Sequence, residues 1–397
     1  MFMQKLWTKD FVIVSLENFF AYFTYYTLIS TITVFAIDQF HTSTSMAGLS
    51  AGIFILGAVF GRLFTGSWID HIGWKKMLYI GFACFLITTF LYFFISNLPL
   101  LIVLRILHGA AFGVCSTSTG TIVASIIPTS RRGEGTGYYA LSTTLASAVG
   151  PFLGMYLVHH ASFQVNLILC TCIVMIGFLG VMILKVPKVE KPIADVGNKR
   201  KFNISDYVEP AAVPISIISA FIGFGYYSVL SFLTSYSQEI NLVEAGSFFF
   251  ITYSAAILVS RPVIGRWFDK TGGNVVMYTT FFLFAFGLFL LSQAHNGFVL
   301  LLAGAFVGLG YGNFLSSAQA LSIKVSPKHR MGLATSTFFM FTDGGAGISP
   351  FVLGMFIQTI GFREMYLVMA FFVLACSLLY FLMLGKRKSY VLEKSYR

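Results

Sequence analysis

Twelve apolar runs, each long enough to cross a lipid bilayer, constrain this chain more than any other feature of its sequence. A membrane-spanning helix needs roughly 20 mainly apolar residues. Charged residues make up only 10% of the chain, whereas soluble proteins have about 25%. The sequence therefore excludes a water-soluble enzyme and predicts an all-α membrane protein with twelve transmembrane helices. The predicted spans are residues 11–34, 47–69, 77–95, 99–126, 137–158, 164–184, 211–235, 245–267, 276–293, 298–323, 333–357 and 364–384.

The longest polar stretch divides these spans into two sets of six. We interpret residues 185–210 as a cytoplasmic linker between an N-terminal bundle, residues 1–184, and a C-terminal bundle with a short tail, residues 211–397. With twelve spans, both chain ends and every second loop lie on the same side of the membrane. Most of the 26 Lys and Arg residues fall in these segments. Because basic loops stay in the cytoplasm, we expect a multi-pass plasma-membrane protein with both termini cytoplasmic. The net charge of +11 then has a topological cause, and no nucleic-acid partner is expected.

An internal repeat relates the two sets of spans. A shift of 199 residues superposes identical residues along both halves: Arg62 on Arg261, Gly66 on Gly265, Trp68 on Trp267, Asp70 on Asp269, Gly73 on Gly272, Gly109 on Gly308, Gly113 on Gly312, Pro128 on Pro327, Arg131 on Arg330, Gly133 on Gly332 and Pro151 on Pro350. The two halves therefore share one topology. Parallel repeats of this kind occur in secondary transporters that bind substrate between the halves.

A motif of small and charged residues connects the second and third spans. We expect Gly66 to permit close helix approach and Gly73 to permit a tight turn. Asp70 is an acid at a helix end, where it can accept backbone N–H bonds or pair with a cation. The basic residues Lys75 and Lys76 follow. The second copy of the aspartate, at Asp269, favours a function over an ordinary turn.

Two ionisable residues, Arg105 and His108, lie in the fourth span. An arginine within a span costs roughly 2.5–3.5 kcal/mol on insertion scales, so it should face protein or water and have a partner. We expect that partner to be Glu17 in the first span. His108 follows Arg105 by three residues and shares its helix face. The three groups are therefore candidates for proton or substrate coupling, with a purely structural ion pair as the alternative.

A fourth ionisable candidate, Asp343, stands among glycines in the eleventh span. Its insertion is about as unfavourable as that of an arginine. The flanking glycines allow another helix or a ligand to approach. We therefore interpret Asp343 as a proton or cation site, with a helix-end interaction with Arg261 or Arg330 as the alternative.

The fifth span carries the sequence Gly150-Pro151-Phe-Leu-Gly154. Proline removes a helix hydrogen bond and bends the helix, and two glycines four residues apart form a surface for tight helix contact. The pattern predicts a kink with a close neighbour.

The second-loop motif, the fourth-span arginine and the fifth-span GPxxG resemble those of the major facilitator superfamily, and the GPxxG resembles that of its proton-driven drug exporters. The resemblance implies twelve helices in two pseudo-symmetric six-helix halves and a cytoplasmic latch at Asp70. It also implies a central cavity lined by the first, fourth, seventh and tenth spans. Aromatic and amide residues on those spans are substrate candidates: Tyr22, Tyr26, Tyr227, Tyr311 and Asn313.

By this resemblance the protein is a proton-coupled antiporter that exports a small amphipathic molecule or drug. Protonation of Glu17 or Asp343 would compete with substrate binding. The expected partners are membrane lipid, protons and the substrate, with the protein acting as a monomer. A proton gradient takes the place of a cofactor, and no metal site is expected.

Two alternatives stay open. The first is an importer or facilitator of a sugar or organic anion, because one fold supports many functions. The second is a polytopic membrane enzyme, which no catalytic motif supports.

Overall fold

The computed structural model describes residues 6–128, 131–186, 208–271, 273–327 and 330–385, and these residues are almost entirely helical. Most of the predicted linker and the C-terminal tail lie outside the described residues. In the N-terminal half the helices are α1 (Lys9–Ile29), α2 (Ile32–Phe40), α3 (Thr44–Ile72), α4 (Trp74–Leu91), α5 (Leu98–Ile126), α6 (Arg132–His160) and α7 (Phe163–Ile183).

The C-terminal half repeats this pattern with one irregular helix. Its helices are α8 (Val213–Glu239), α9 (Val243–Thr271), α10 (Gly273–Ser292), α11 (Gly297–Val307), α12 (Asn313–Lys324) and α13 (Met331–Tyr380). A π-helical turn, Gly308–Gly312, joins α11 to α12. The described residues contain eleven helical stretches long and apolar enough to cross a membrane. The last stretch, Leu333–Gly385, covers two of the predicted spans.

Side-chain caps and glycines set several helix ends. Thr8 accepts a hydrogen bond from the Phe11 amide at the start of α1. Asn97 and Asn296 cap α5 and α11 in the same way, which satisfies amides that a helix start leaves unpaired. Gly73 separates α3 from α4 with a φ of +96°, a backbone conformation that glycine adopts without strain. The predicted tight turn at Gly73 is therefore present.

The spans differ from their predicted bounds in three places. The first span breaks at Ser30 and Thr31 and continues as α2 to Phe40. The tenth span contains the π-helical turn. The eleventh and twelfth spans run on as α13, which is interrupted where Gly361 has a φ of +84°. Apolar patterning locates spans well, but such interruptions depend on backbone geometry that apolar residues do not specify.

The chain divides into two compact units. The first comprises residues 1–42 and 49–197, and the second comprises residues 43–48 and 198–397. The first turn of α3 thus groups with the second unit. In the first unit α1 packs against α5, α6 and α7, while in the second α13 packs against α8 and α10.

Candidate functional site

Arg105 lies at the centre of a buried polar cluster in the first unit. Its side chain is 0% exposed. Nε donates to the Ser50 carbonyl oxygen at 2.7 Å, and Nη2 donates to the Ala51 carbonyl oxygen at 3.3 Å. Nη1 donates to the Tyr92 hydroxyl at 3.4 Å. The guanidinium therefore ties α5 to α3 and to the turn after α4.

The ring of His108 extends the same cluster. Nδ1 lies 3.2 Å from the Tyr92 hydroxyl and Nε2 lies 3.1 Å from Thr89 Oγ1. Thr89 donates its own proton to the Phe85 carbonyl oxygen, so it must accept from Nε2–H. Tyr92 accepts from Arg105, so its proton is available for Nδ1. This order of donors assigns His108 to the neutral tautomer with its proton on Nε2.

Glu17 lies elsewhere, and the predicted pairing of Glu17 with Arg105 is wrong. The three hydrogen bonds of Arg105 are directed to α3 and Tyr92, beside Phe54, whose ring lies 4.4 Å below the guanidinium carbon. On α1 it is Tyr25 that stacks on Phe54. Glu17 precedes Tyr25 by eight residues, a distance of about 12 Å along a helix. Sequence spacing fixes positions along a helix but not the relative depths of two helices, which this pairing required.

The carboxyl of Glu17 is instead buried against α7. It is 1% exposed, and its Oε2 atom has no hydrogen-bond partner among the described residues. Gly177 and Gly180 of α7 lie close to its two oxygen atoms. The structure therefore brings Arg105 and His108 together and leaves Glu17 in a separate, apolar place.

Asp343 lies in α13 with a partly exposed side chain. Gly344 beside it faces open space, whereas Gly345 packs so closely on α8 that a methyl group there would stand 2.6 Å from the Ala220 carbonyl oxygen. Arg330, one of the two arginines considered for Asp343, forms an ion pair with Glu209 at 2.5 Å. The contact joins two charges without the alignment of a good hydrogen bond.

The aromatic candidates of the first unit gather at the middle of α1. Tyr22 lies edge-on to Phe112 at 5.0 Å and is 6.2 Å from Tyr26 between ring centroids. Tyr25, between them, stacks on both Phe54 and Phe112. Tyr22 and Tyr26 are half-buried, while Tyr25 is buried.

A corresponding group in the second unit consists of tyrosines. Tyr311 stacks on Tyr226 with ring centroids 4.0 Å apart and planes 5° apart. Tyr226 also stacks on Tyr253 at 5.7 Å and meets Tyr227 edge-on at 5.3 Å. Thus Tyr311 and Tyr227 belong to one cluster, joined through Tyr226.

Asn313 follows the π-helical turn and holds it in place. Its Nδ2 donates to Ser260 Oγ at 2.8 Å and to the Leu309 carbonyl oxygen at 2.9 Å. Its Oδ1 is buried without a hydrogen-bond partner in the described part of the chain. Asn313 therefore links the tenth span to α9, and it keeps one acceptor available.

The GPxxG segment of α6 packs closely on α1, as its pattern predicts. A methyl group on Gly150 would stand 2.9 Å from Tyr26 Cβ, and one on Gly154 would stand 2.9 Å from the Thr27 carbonyl oxygen. Thr27 donates to the Gly150 carbonyl oxygen, and Asn166 of α7 donates to that of Gly154. Pro151 lies within the helix, between these two contacts.

The second-loop motif is mostly helical rather than a loop. Residues 66–72 form the last turns of α3, and only Gly73 makes the turn. The close helix approach expected at Gly66 is not found, because no atom of the described residues lies within 4 Å of where its Cβ would be. Lys75 donates to the carbonyl oxygens of Met182 and Leu184 at the end of α7, while Lys76 is exposed. The side chains of Asp70 and Asp269 lie outside the described part of the structure.

Sequence reasoning missed several members of these clusters. Tyr92 and Thr89 lie at the end of a span, where tyrosine and threonine are common, and nothing in the sequence sets them apart. The repeat shift of 199 residues relates the candidate Tyr311 to Phe112 and could have singled out Phe112, but it relates Tyr253 only to Phe54, which was not itself a candidate. Nothing in the sequence distinguishes Gly177 and Gly180 from the other glycines of the spans.

Comparison with known proteins places the chain in a family. The model of the Major Facilitator Superfamily matches residues 14–252 and again residues 215–395. An uncharacterised MFS-type transporter of Methanocaldococcus jannaschii is 24% identical over 349 residues, covering 84% of this chain and 88% of that protein. Multidrug resistance protein 1 of Bacillus subtilis is 21% identical over 350 residues, covering 86% and 88%.

Among solved structures, a bacterial homolog of the human lysosomal transporter Spinster superposes with a TM-score of 0.80 at 13% identity, covering 99% of this chain and 100% of that one. Its likeness confirms the predicted fold of two six-helix halves. The family match and the transporters among these relatives identify a multi-pass membrane transporter rather than an enzyme. The chain belongs to the Major Facilitator Superfamily.

Proposed function

We propose that this transporter is a proton-coupled exporter of small amphipathic molecules, working by alternating access as a monomer in the plasma membrane with both termini cytoplasmic. One observation carries the coupling: the Glu17 carboxyl lies inside a membrane span, 1% exposed, with an unpartnered oxygen. A carboxyl in such a place can hold a proton, whereas its ionised form needs a different environment. The side chain therefore suits a protein that binds and releases protons in turn.

The direction and the class of substrate rest on different support. Relatives over most of the chain are named multidrug resistance proteins, and the GPxxG segment resembles that of drug exporters. Import of an organic anion would need a cation that is available to bind it. Arg105 does not suit that role, because its hydrogen bonds go to two backbone carbonyls and a tyrosine hydroxyl.

The membrane supplies enough energy for uphill export. Each charge moved down the membrane potential releases about 2.3 kcal/mol per 100 mV, and a pH gradient adds to this. Protonation of Glu17, with Asp343 as the second candidate, would alternate with substrate binding. Each inward or outward movement then carries either protons or substrate.

A transport assay in proteoliposomes tests the proposal. The purified protein is reconstituted with an acidic interior, and uptake of ethidium, a fluorescent amphipathic cation, is followed. We expect uptake that a proton ionophore abolishes, since outward proton movement drives it. Glu17→Gln should lose the gradient-driven uptake, and Asp343→Asn is compared with it to decide between the two acids. Ethidium flux that is equal with and without the gradient would rule out antiport.

A further inference from the structure

The face of α1 that carries Glu17 is directed at α7. Ile13, Glu17 and Phe20 lie four and three residues apart, so they share one face of the helix. Gly177 and Gly180 of α7 are three residues apart and likewise share a face. The carboxyl fits between these two glycines. A methyl group on Gly177 would stand 2.8 Å from Oε2, and one on Gly180 would overlap Oε1.

The surroundings of this carboxyl are apolar. The rings of Phe82 on α4 and Phe20 on α1 lie beside the carboxyl, because both approach the same side of Gly177. The titratable group that faces Glu17 from α5 is the thiol of Cys115. The neighbouring Asn18 is turned away, toward Ser142 and Thr143 of α6. In the part of the chain that the structure describes, no cation pairs with the Glu17 carboxyl.

We propose that Gly177 and Gly180 form a receptor notch for the protonated side chain of Glu17, so that proton release requires α1 and α7 to move apart. A neutral carboxyl can be buried against glycine backbone, whereas a carboxylate without a cation is strongly unfavourable there. The glycines are thus positioning residues. They bring α7 close to α1 and leave space for a side chain that would otherwise be expelled.

The notch gives proton binding a mechanical consequence. With the proton bound, the side chain fills the notch and α1 and α7 stay together. When the proton leaves, the charged carboxylate must reach water, and the contact opens. The role of this movement in transport rests on the proton coupling proposed above, but the notch itself can be tested without any transport.

Two carbodiimides of opposite solubility provide the test. Dicyclohexylcarbodiimide partitions into apolar sites and reacts with protonated carboxyls, whereas the water-soluble EDC reacts with carboxyls that water reaches. The purified full-length protein is treated with each reagent at neutral pH, and modification of Glu17 is measured by peptide mass spectrometry. We expect Glu17 to react with dicyclohexylcarbodiimide and not with EDC. Glu17→Gln, which removes the reacting group, sets the background.

Gly180→Ala tests the glycines. The added methyl group should expel the carboxyl toward water, where it ionises. Labelling by dicyclohexylcarbodiimide should then fall about tenfold for each tenfold decrease in the protonated fraction of Glu17. Gly120→Ala, in the same unit, is the matched control, because no atom of the described residues lies within 4 Å of its Cβ position. It should label like wild type.

Equal labelling of Gly180→Ala and wild type would overturn the notch, as would labelling of wild-type Glu17 by EDC. If Gly180→Ala does not fold, the contrast between the two reagents on the wild-type protein still decides. A labelled notch combined with gradient-independent ethidium flux would retain this inference and remove only the proposed proton coupling.

Discussion

The fourth span of each half occupies the same place in the repeat but meets its neighbour differently. Residues 105–113 of the first unit correspond to residues 304–312 of the second at the shift of 199. Arg105 corresponds to Gly304. In the first unit Arg105 donates to the Ser50 carbonyl oxygen. In the second, Gly304 lies directly against the equivalent carbonyl, that of Phe249, 2.9 Å from where its Cβ would be.

The same backbone position is thus held by a charge in one half and by close contact in the other. A guanidinium satisfies several carbonyls, but it introduces a charge into the membrane. A glycine needs no partner and brings the helices together. The repeat therefore preserves the topology while the ionisable chemistry of this span is confined to the first unit.

The aromatic groups of the two units also differ in chemistry. Tyr25 stacks between Phe54 and Phe112 in the first unit. At the repeat-related positions the second unit has Tyr253 and Tyr311, which stack on Tyr226. The second unit therefore has hydroxyl groups where the first has plain rings, and it has a π-helical turn where the first has a regular helix. Such turns are frequent at functional sites.

Removing the charge of Arg105 should have the largest effect on both transport and stability. Arg105→Ala leaves two carbonyl oxygens and the Tyr92 hydroxyl without their donor and leaves a cavity. We expect ethidium transport to be lost and the free energy of unfolding to fall by about 4 kcal/mol or more, as for other broken buried networks. Thermal unfolding in detergent and proteoliposome flux are measured together.

Two companion variants sharpen that result. Arg105→Lys should not rescue, because an ammonium cannot serve three acceptors in fixed directions. Tyr92→Phe removes one acceptor and should lower the free energy of unfolding by about 1–3 kcal/mol. Wild-type flux from Arg105→Ala would show that the charge is dispensable and that the halves differ only in packing.

Alanine substitutions at glycines that make the same contact in both halves should reduce stability equally, and less than Arg105→Ala does. A methyl group on Gly109 would overlap the Phe54 carbonyl oxygen, and one on Gly308 would overlap that of Tyr253, its repeat equivalent. Gly109→Ala and Gly308→Ala should each lower the free energy of unfolding by about 1–3 kcal/mol, the usual range for overpacking. Thermal unfolding of both variants is compared with that of wild type.

Each half offers its own control for this pair. Gly120 in the first unit and Gly223 in the second have open space at their Cβ positions, so alanine there should leave the unfolding temperature unchanged or raise it. A large loss from Gly109→Ala and none from Gly308→Ala would mean that the π-helical turn relieves the overlap, and that the two halves do not share this contact.

Sequence alone predicted the fold but only parts of the site. Apolar run length and the repeat determine which residues span the membrane and which are equivalent, and the GPxxG contact followed from small residues on one helix face. The pairing of Glu17 with Arg105 could not be predicted correctly, because it depends on the depth of α1 relative to α5. The repeat also relates Phe54 to Tyr253 and Phe112 to Tyr311, so it pairs two members of one aromatic group with two members of the other.

The smallest effect is expected from making the second unit resemble the first. Tyr311→Phe keeps the ring that stacks 4.0 Å from Tyr226 and reproduces the residue found at Phe112. Loss of one hydroxyl should change the free energy of unfolding by about 1 kcal/mol or less. If the tyrosine group contacts the substrate, the half-saturating concentration of ethidium should nevertheless rise, since a hydrogen-bonding surface has been removed.

The reciprocal Phe112→Tyr places a hydroxyl at a side chain that is 2% exposed, so it should reduce stability rather than alter ethidium affinity. Identical affinity for both variants and wild type would assign the tyrosines to packing alone, and the hydroxyl groups that distinguish the second unit would then have no part in selecting the substrate.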